Sequence, residues 1–170
     1  LFIRAHYFYH LVQQFGDIPM PLKPTNSVET TAHKTKVDEV WNQIVTDLEF
    51  AVENLPETYQ ASEFGHITKY AAMHHLSRVY LTLKRSDDDL KKALNYAEQV
   101  INSGKYSLVK SHAELWDINN KNNSEVLFSV LYTQNAELNG DGNTAHMYFC
   151  SAYSEEHPAV KRVIEYGSPW

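Results

Sequence analysis

The sequence predicts a mostly α-helical chain, its helices paired as hairpins and followed by an irregular region with a short strand. Three observations carry this. Four stretches between Leu1 and Ile101 repeat apolar residues at three- and four-residue spacing, which puts them on one face of a helix. Gly, Pro and helix-capping residues punctuate those stretches at their ends. Beyond Lys105 no helical period survives.

The first stretch runs from Leu1 to Pro19 and carries Ala5, Phe8, Leu11, Val12 and Phe15 on one face. Gly16 can take the left-handed conformation that closes a helix, and Pro19 keeps it from resuming. No Met and no N-cap precede Leu1, so the expectation is a piece of a longer protein that opens inside an element. On that expectation the first helix should leave Phe2, Phe8 and Phe15 exposed. A link from Gly16 to Lys34, with three prolines and several Thr and Asn residues, is too polar and broken for a regular element.

The second helix is the clearest. Val37, Val40, Trp41, Ile44, Leu48, Ala51, Val52 and Leu55 form one stripe, ended by Asn54-Leu55-Pro56. Thr35 and Asp38 resemble a capping box, and Asp38 and Glu39 sit where the helix dipole favours negative charge. Thr68 is the expected N-cap of the third helix, in which Ala72, Met73, Leu76, Val79, Tyr80 and Leu83 share a face. Ser86 and Asp87 to Asp89 open the fourth, with Leu90, Ala93, Leu94, Ala97, Val100 and Ile101, and Gly104 closes it. Ala71, Ala72, Ala93 and Ala97 let those two helices approach closely.

The third and fourth helices together span one tetratricopeptide-like unit, whose period is about 34 residues. The expected division is a tetratricopeptide-like helical part over residues 1–110 and an irregular, loop-rich part over 111–170. In the second part Ala113 to Trp116 could make one helical turn, and Glu125 to Tyr132 is the best strand. From Thr133 to Tyr153 Gly, Asn and aromatic residues mix without a period, as in long functional loops.

Composition narrows the function classes. The 170 residues suit one domain, or one and part of a second, and the hydrophobic share of 43% is that of a globular protein. A net charge of -6, with Lys and Arg scattered, argues against nucleic acid as the main partner. The single cysteine, Cys150, can form neither an internal disulfide nor a thiolate metal cluster. No apolar run approaches the length of a membrane span, and phosphate-loop, nucleophile-elbow and metalloprotease motifs are absent from the sequence.

Several segments, in order, resemble the SusD/RagB family of outer-membrane nutrient-binding lipoproteins. They are Phe2-Ile3-Arg4-Ala5-His6-Tyr7-Phe8-Tyr9, Phe15-Gly16-Asp17-Ile18-Pro19, Asp47-Leu48 to Leu55-Pro56, and Thr68-Lys69-Tyr70-Ala71-Ala72. Further on come Val79-Tyr80-Leu81, Val100 to Tyr106, Asn123 to Phe128, and Tyr166-Gly167-Ser168-Pro169-Trp170. The resemblance implies helical hairpins supporting an irregular ligand-binding part. It also implies a non-catalytic protein at the bacterial cell surface that hands glycan or another nutrient to a SusC-like TonB-dependent transporter. The family's lipid-anchor region and C-terminal part have no counterpart in this sequence, so membrane association would run through an anchor outside it. The alternative is a helical-repeat module that binds another protein.

Sugar rings present apolar C–H faces, so a glycan site needs aromatic platforms beside hydrogen-bonding partners. The segment after the expected strand supplies those types, and Tyr132, Asn143, Tyr148 and Tyr153 are the expected ligand-binding residues. The competing reading is that these aromatics anchor the loop to the helices. His6 and His10 stand four apart on one helix face, as two metal ligands could, but no acidic or third His partner lies at helical spacing. His74 and His75 are adjacent and point to different faces. Asp87 to Asp89 open a helix, where carboxylates are favoured anyway. Asn139-Gly140-Asp141-Gly142-Asn143 has oxygen donors but neither the spacing nor the terminal Glu of an EF-hand. Neither a metal nor a cofactor is expected. Arg4 and Lys69 are assigned to ion pairing or snorkelling on a helix surface.

Overall fold

In this computed structural model helix α1, Phe2–Phe15, buries Phe2, Ala5, Phe8, Tyr9 and Val12. The structure describes residues 1–131 except 25, 29, 30, 64, 118 and 121. Gly16 ends α1 with φ 67°, and its N–H returns to the Val12 carbonyl at 3.0 Å. Phe2 and Phe8, expected in solvent, are only 5% and 7% exposed, because the second and third helices of the same unit cover them. Phe15 is 65% exposed as expected, whereas Leu11 lies at the edge of the buried stripe and Tyr9 takes the inner position.

Helix α2, Val37–Asn54, begins at Lys36 without a side-chain cap. The expected Thr35–Asp38 capping box does not form. Asp17 does the capping instead, from the loop after α1: its Oδ1 accepts from Val37 N at 2.9 Å and its Oδ2 from Lys36 Nζ at 2.9 Å. Those two hydrogen bonds, Lys36 first, hold the Asp17 carboxyl below its ordinary pKa. Thr35 N donates to the Ile18 carbonyl at 2.8 Å, so both ends of the long link are pinned together.

Helix α3, Lys69–Leu83, is capped by Thr68, whose hydroxyl accepts from Ala71 N at 3.2 Å. Helix α4, Asp87–Asn102, is capped by Ser86, which accepts from Asp89 N at 3.3 Å. The Asp89 carboxylate in turn accepts from Arg85 N at 2.9 Å, so it serves the helix start. Successive helices pack on one another: α1 on α2, α2 on α3 and α3 on α4, and α1 also touches α3. At the α3–α4 contact Ala72 and Ala93 are almost wholly buried, and Ser77 Oγ donates to the Ala93 carbonyl at 2.8 Å. Ser77→Ala leaves that buried carbonyl short of a donor. The expected loss is about 1 kcal/mol in urea unfolding; an unchanged midpoint would remove the bond from the account.

α4 buries a narrower face than its pattern suggests. Asp89, Ala93 and Val100 point inward, but Leu94 and Ile101 are 59% and 72% exposed. Among the described elements α3 is the main partner of this helix, and one partner covers one narrow stripe. After a 3-10 turn at Ala61–Glu63 and a one-turn helix α5 at His112–Leu115, the expected strand at Glu125 does not appear. Among the described residues 125–131 make no ladder and have no partner strand; Leu127 and Phe128 use their apolar area against the helical core instead, and Tyr132 lies outside the described residues. Leu1–Ser129 form one compact unit. No described helix is long and apolar enough to cross a membrane.

Candidate functional site: two clefts on the helical frame

The larger cleft, about 460 Å³, opens where the α2–α3 loop meets the chain leaving α4 and the segment 122–129. Its aromatic walls are braced. Tyr59 and His66 meet edge to face at 5.1 Å, and Tyr106 meets Tyr70 the same way at 6.0 Å. The Tyr106 hydroxyl lies 3.2 Å from Thr68 Oγ1, so the α3 cap also fixes that ring. Burial, and then the influence of the Glu57 carboxylate, push the Tyr70 phenol above its ordinary pKa.

The far wall is held by hydrogen bonds between loops. Ser107 N donates to the Ser124 carbonyl at 3.0 Å, and Ser124 Oγ donates to the Ser107 carbonyl at 2.9 Å. Asn123 is only 8% exposed; its amide donates to the Asn120 carbonyl at 3.0 Å and its Oδ1 accepts from Glu125 N at 3.0 Å. Exposed Glu57, Gln60, Glu63, Lys105 and Asn122 then present donors and acceptors around the rings. Such a surface can stack on an apolar ring face and hydrogen-bond its hydroxyls.

The second cleft, about 340 Å³, lies between α1, α3 and the segment 125–128. His6 sits 4.7 Å from His10 and 5.3 Å from His75, ring centre to ring centre. The third imidazole that α1 lacks at helical spacing therefore arrives from α3. No group of three His, Cys, Asp or Glu among the described residues is arranged to hold a metal ion. His75 is 5% exposed between Phe2, His6 and Tyr9, while its neighbour His74 is exposed, so the pair does split between faces. Burial first, then the like charges of His6, Arg78, His10 and His74, push His75 down to about 3. Desolvation also lowers His6, with help from His10 and Arg78, and lowers His74, whose ring is partly shielded by its neighbours although the residue as a whole is exposed, with help from Arg78.

Arg4, expected to pair on a helix surface, grips the buried Asp47 carboxylate with two bonds of 2.6 Å. Tyr132, Asn143, Tyr148 and Tyr153 lie outside the described residues, as do Cys150 and the Asn139–Asn143 turn. Sequence reasoning missed Tyr59, His66 and Tyr106 as one wall. No spacing rule joins two separate loops, although Lys105-Tyr106 and Asn123-Ser124 already lay within the motifs that carry the resemblance.

Residues 1–81 match a family model of SusD-like proteins described as starch-binding and associating with the outer membrane. SusD-like protein P2 of Formosa agariphila is 31% identical over 175 residues, covering 99% of this chain and 32% of that protein. A protein crystallised with a xylogluco-oligosaccharide superposes with TM-score 0.72 at 25% identity, over 78% of this chain and 28% of that one. A laminarin-binding SusD-like protein superposes with TM-score 0.66 at 28% identity, over 76% of this chain and 29% of that one. The chain spans about a quarter to a third of the length of the curated relatives it matches. Motif order, family match and helical frame agree, and together they support the chain as a fragment of the SusD-like kind.

Proposed function

We propose that this chain is part of a non-catalytic protein that binds glycan at the bacterial cell surface and passes it to a SusC-like TonB-dependent transporter. The observation that carries this reading is the match of residues 1–81 to a starch-binding, outer-membrane family. It is supported by the shared helical frame of a relative crystallised with a xylogluco-oligosaccharide and of another that binds laminarin. Attachment to the membrane would run through a lipid anchor. The aromatic cleft supplies Tyr59 and Tyr106 as ring platforms, and Tyr132, Asn143, Tyr148 and Tyr153 would add further sugar contacts. A binding role without chemistry fits the hydroxyls at the cleft. Those of Thr68 and Ser124 bond to Tyr106 and Ser107, and neither bonds to an imidazole that could activate it.

Native affinity electrophoresis of the full-length protein through gels containing starch, xyloglucan or laminarin tests the proposal. Retardation by at least one neutral glycan is expected. Tyr59→Ala, on a half-buried loop residue, should weaken that retardation about three- to tenfold, the worth of one aromatic platform. Free migration through every gel would sink the reading.

A further inference from the structure

We propose that the cleft between α1 and α3 recognises a compact oxyanion, a carboxylate or sulfate ester carried by an acidic sugar. This deepens the glycan-binding reading and rests on it for the class of ligand. His6, His74, His75 and Arg78 line the cleft, with Phe2 and Phe128 as apolar wall. The Arg78 guanidinium lies 5.7 Å over the Tyr9 ring, exposed, and pairs with no Asp or Glu among the described residues. One carboxylate, Glu125, reaches the cleft, and its Oε2 already accepts from Val109 N at 3.0 Å. His75 Nε2 is the one buried side-chain polar atom without a hydrogen-bond partner among the described residues.

Gathering imidazoles around an unpaired guanidinium beside apolar surface is unfavourable unless an acceptor of opposite charge is to be met there. A surface formed only for packing would place a carboxylate against Arg78, as Asp47 stands against Arg4. An oxyanion supplies the acceptor that Arg78 lacks. It also favours the protonated form of the nearby imidazoles, so its binding should strengthen as pH falls. The charged and titratable groups facing the cluster are His6 and His10 of α1, His74, His75 and Arg78 of α3, and Glu125.

Isothermal titration and His ring-proton NMR of the chain, at pH 6 and pH 8, use glucuronate, galactose 6-sulfate, inorganic sulfate and neutral glucose as probes. The acidic ligands should move the His6 and His74 ring resonances and glucose should not. Binding by glucuronate alone would assign a carboxylate; binding by the sulfated sugar over inorganic sulfate would assign a sulfate ester read together with its ring. Arg78→Gln, at an exposed position and with the helical circular dichroism retained, should weaken binding about tenfold, as should raising the pH to 8. No response to any oxyanion, an equal response to glucose, or unchanged binding in Arg78→Gln overturns the site. Retardation by neutral polysaccharides would be untouched by that failure.

Discussion

Arg4→Ala unfolds at lower urea than the parent protein, by the equivalent of about 3 kcal/mol, and Asp47→Ala loses less. The asymmetry follows from burial. Asp47 is 2% exposed in the middle of α2, whereas the Arg4 side chain is 28% exposed on α1. Two bonds of 2.6 Å join the guanidinium to both carboxylate oxygens, and Gln43 Nε2 adds a third donor to Oδ1 at 2.9 Å. Removing Arg4 leaves a carboxylate away from water with only the Gln43 amide, and breaking such a pair costs about 3–5 kcal/mol when both partners are fully buried. Partial exposure of Arg4 puts the expectation at the lower end of that range. Removing Asp47 instead leaves a cation that can turn to water, or keep its 3.3 Å bond to the Leu22 carbonyl. Urea titrations of both single variants and the double variant measure this. If Asp47→Ala proves the more damaging, the buried carboxylate is not the dominant cost.

That ion pair marks how far the sequence could be read. The helices were legible because their information is local: stripes of three- and four-residue spacing, Thr68 and Ser86 as caps, Gly16 and Gly104 as stops. Arg4 could be assigned to pairing on its helix, but its partner stands 43 positions away, where no periodicity reaches. The capping of α2 failed to be legible for the same reason. A Thr and an Asp at the right spacing suggested a local box, while Asp17 reaches the helix start from 20 positions upstream. The expected strand, Glu125 to Tyr132, differs in the opposite way over its described residues. Its β-forming residues are real, yet a strand needs a neighbour, and this segment finds the helical core instead. The aromatic cleft and the histidine cluster were invisible because each is assembled from three separate stretches of chain. His75 alone reads as an ordinary helix residue. It becomes unusual only when α1 lays His6 and Phe2 across it.

His75 also sets how the unit responds to acid. Its imidazole is pushed down to about 3 in the folded chain, against 6.5 as the ordinary value, chiefly by burial. The folded form thus stays neutral where the unfolded chain takes up a proton. The unfolded state binds more protons between those two values, so stability falls as pH falls from 6.5 toward 3. His6 and His74 are shifted in the same direction and add to the slope. Between pH 7 and pH 4.5 the His75 contribution alone is on the order of 2 kcal/mol. That window lies above the range in which a depressed carboxyl such as Asp17 begins to matter, so the histidines are read with little interference. His75→Leu replaces the orphaned Nε2 with apolar volume among Phe2, His6 and Tyr9 and should flatten the dependence. Urea midpoints of parent and variant across pH 7 to 4.5 decide it. A parallel decline in both proteins would assign the acid sensitivity to other groups, because a buried neutral imidazole that must charge on unfolding cannot be removed without changing the slope.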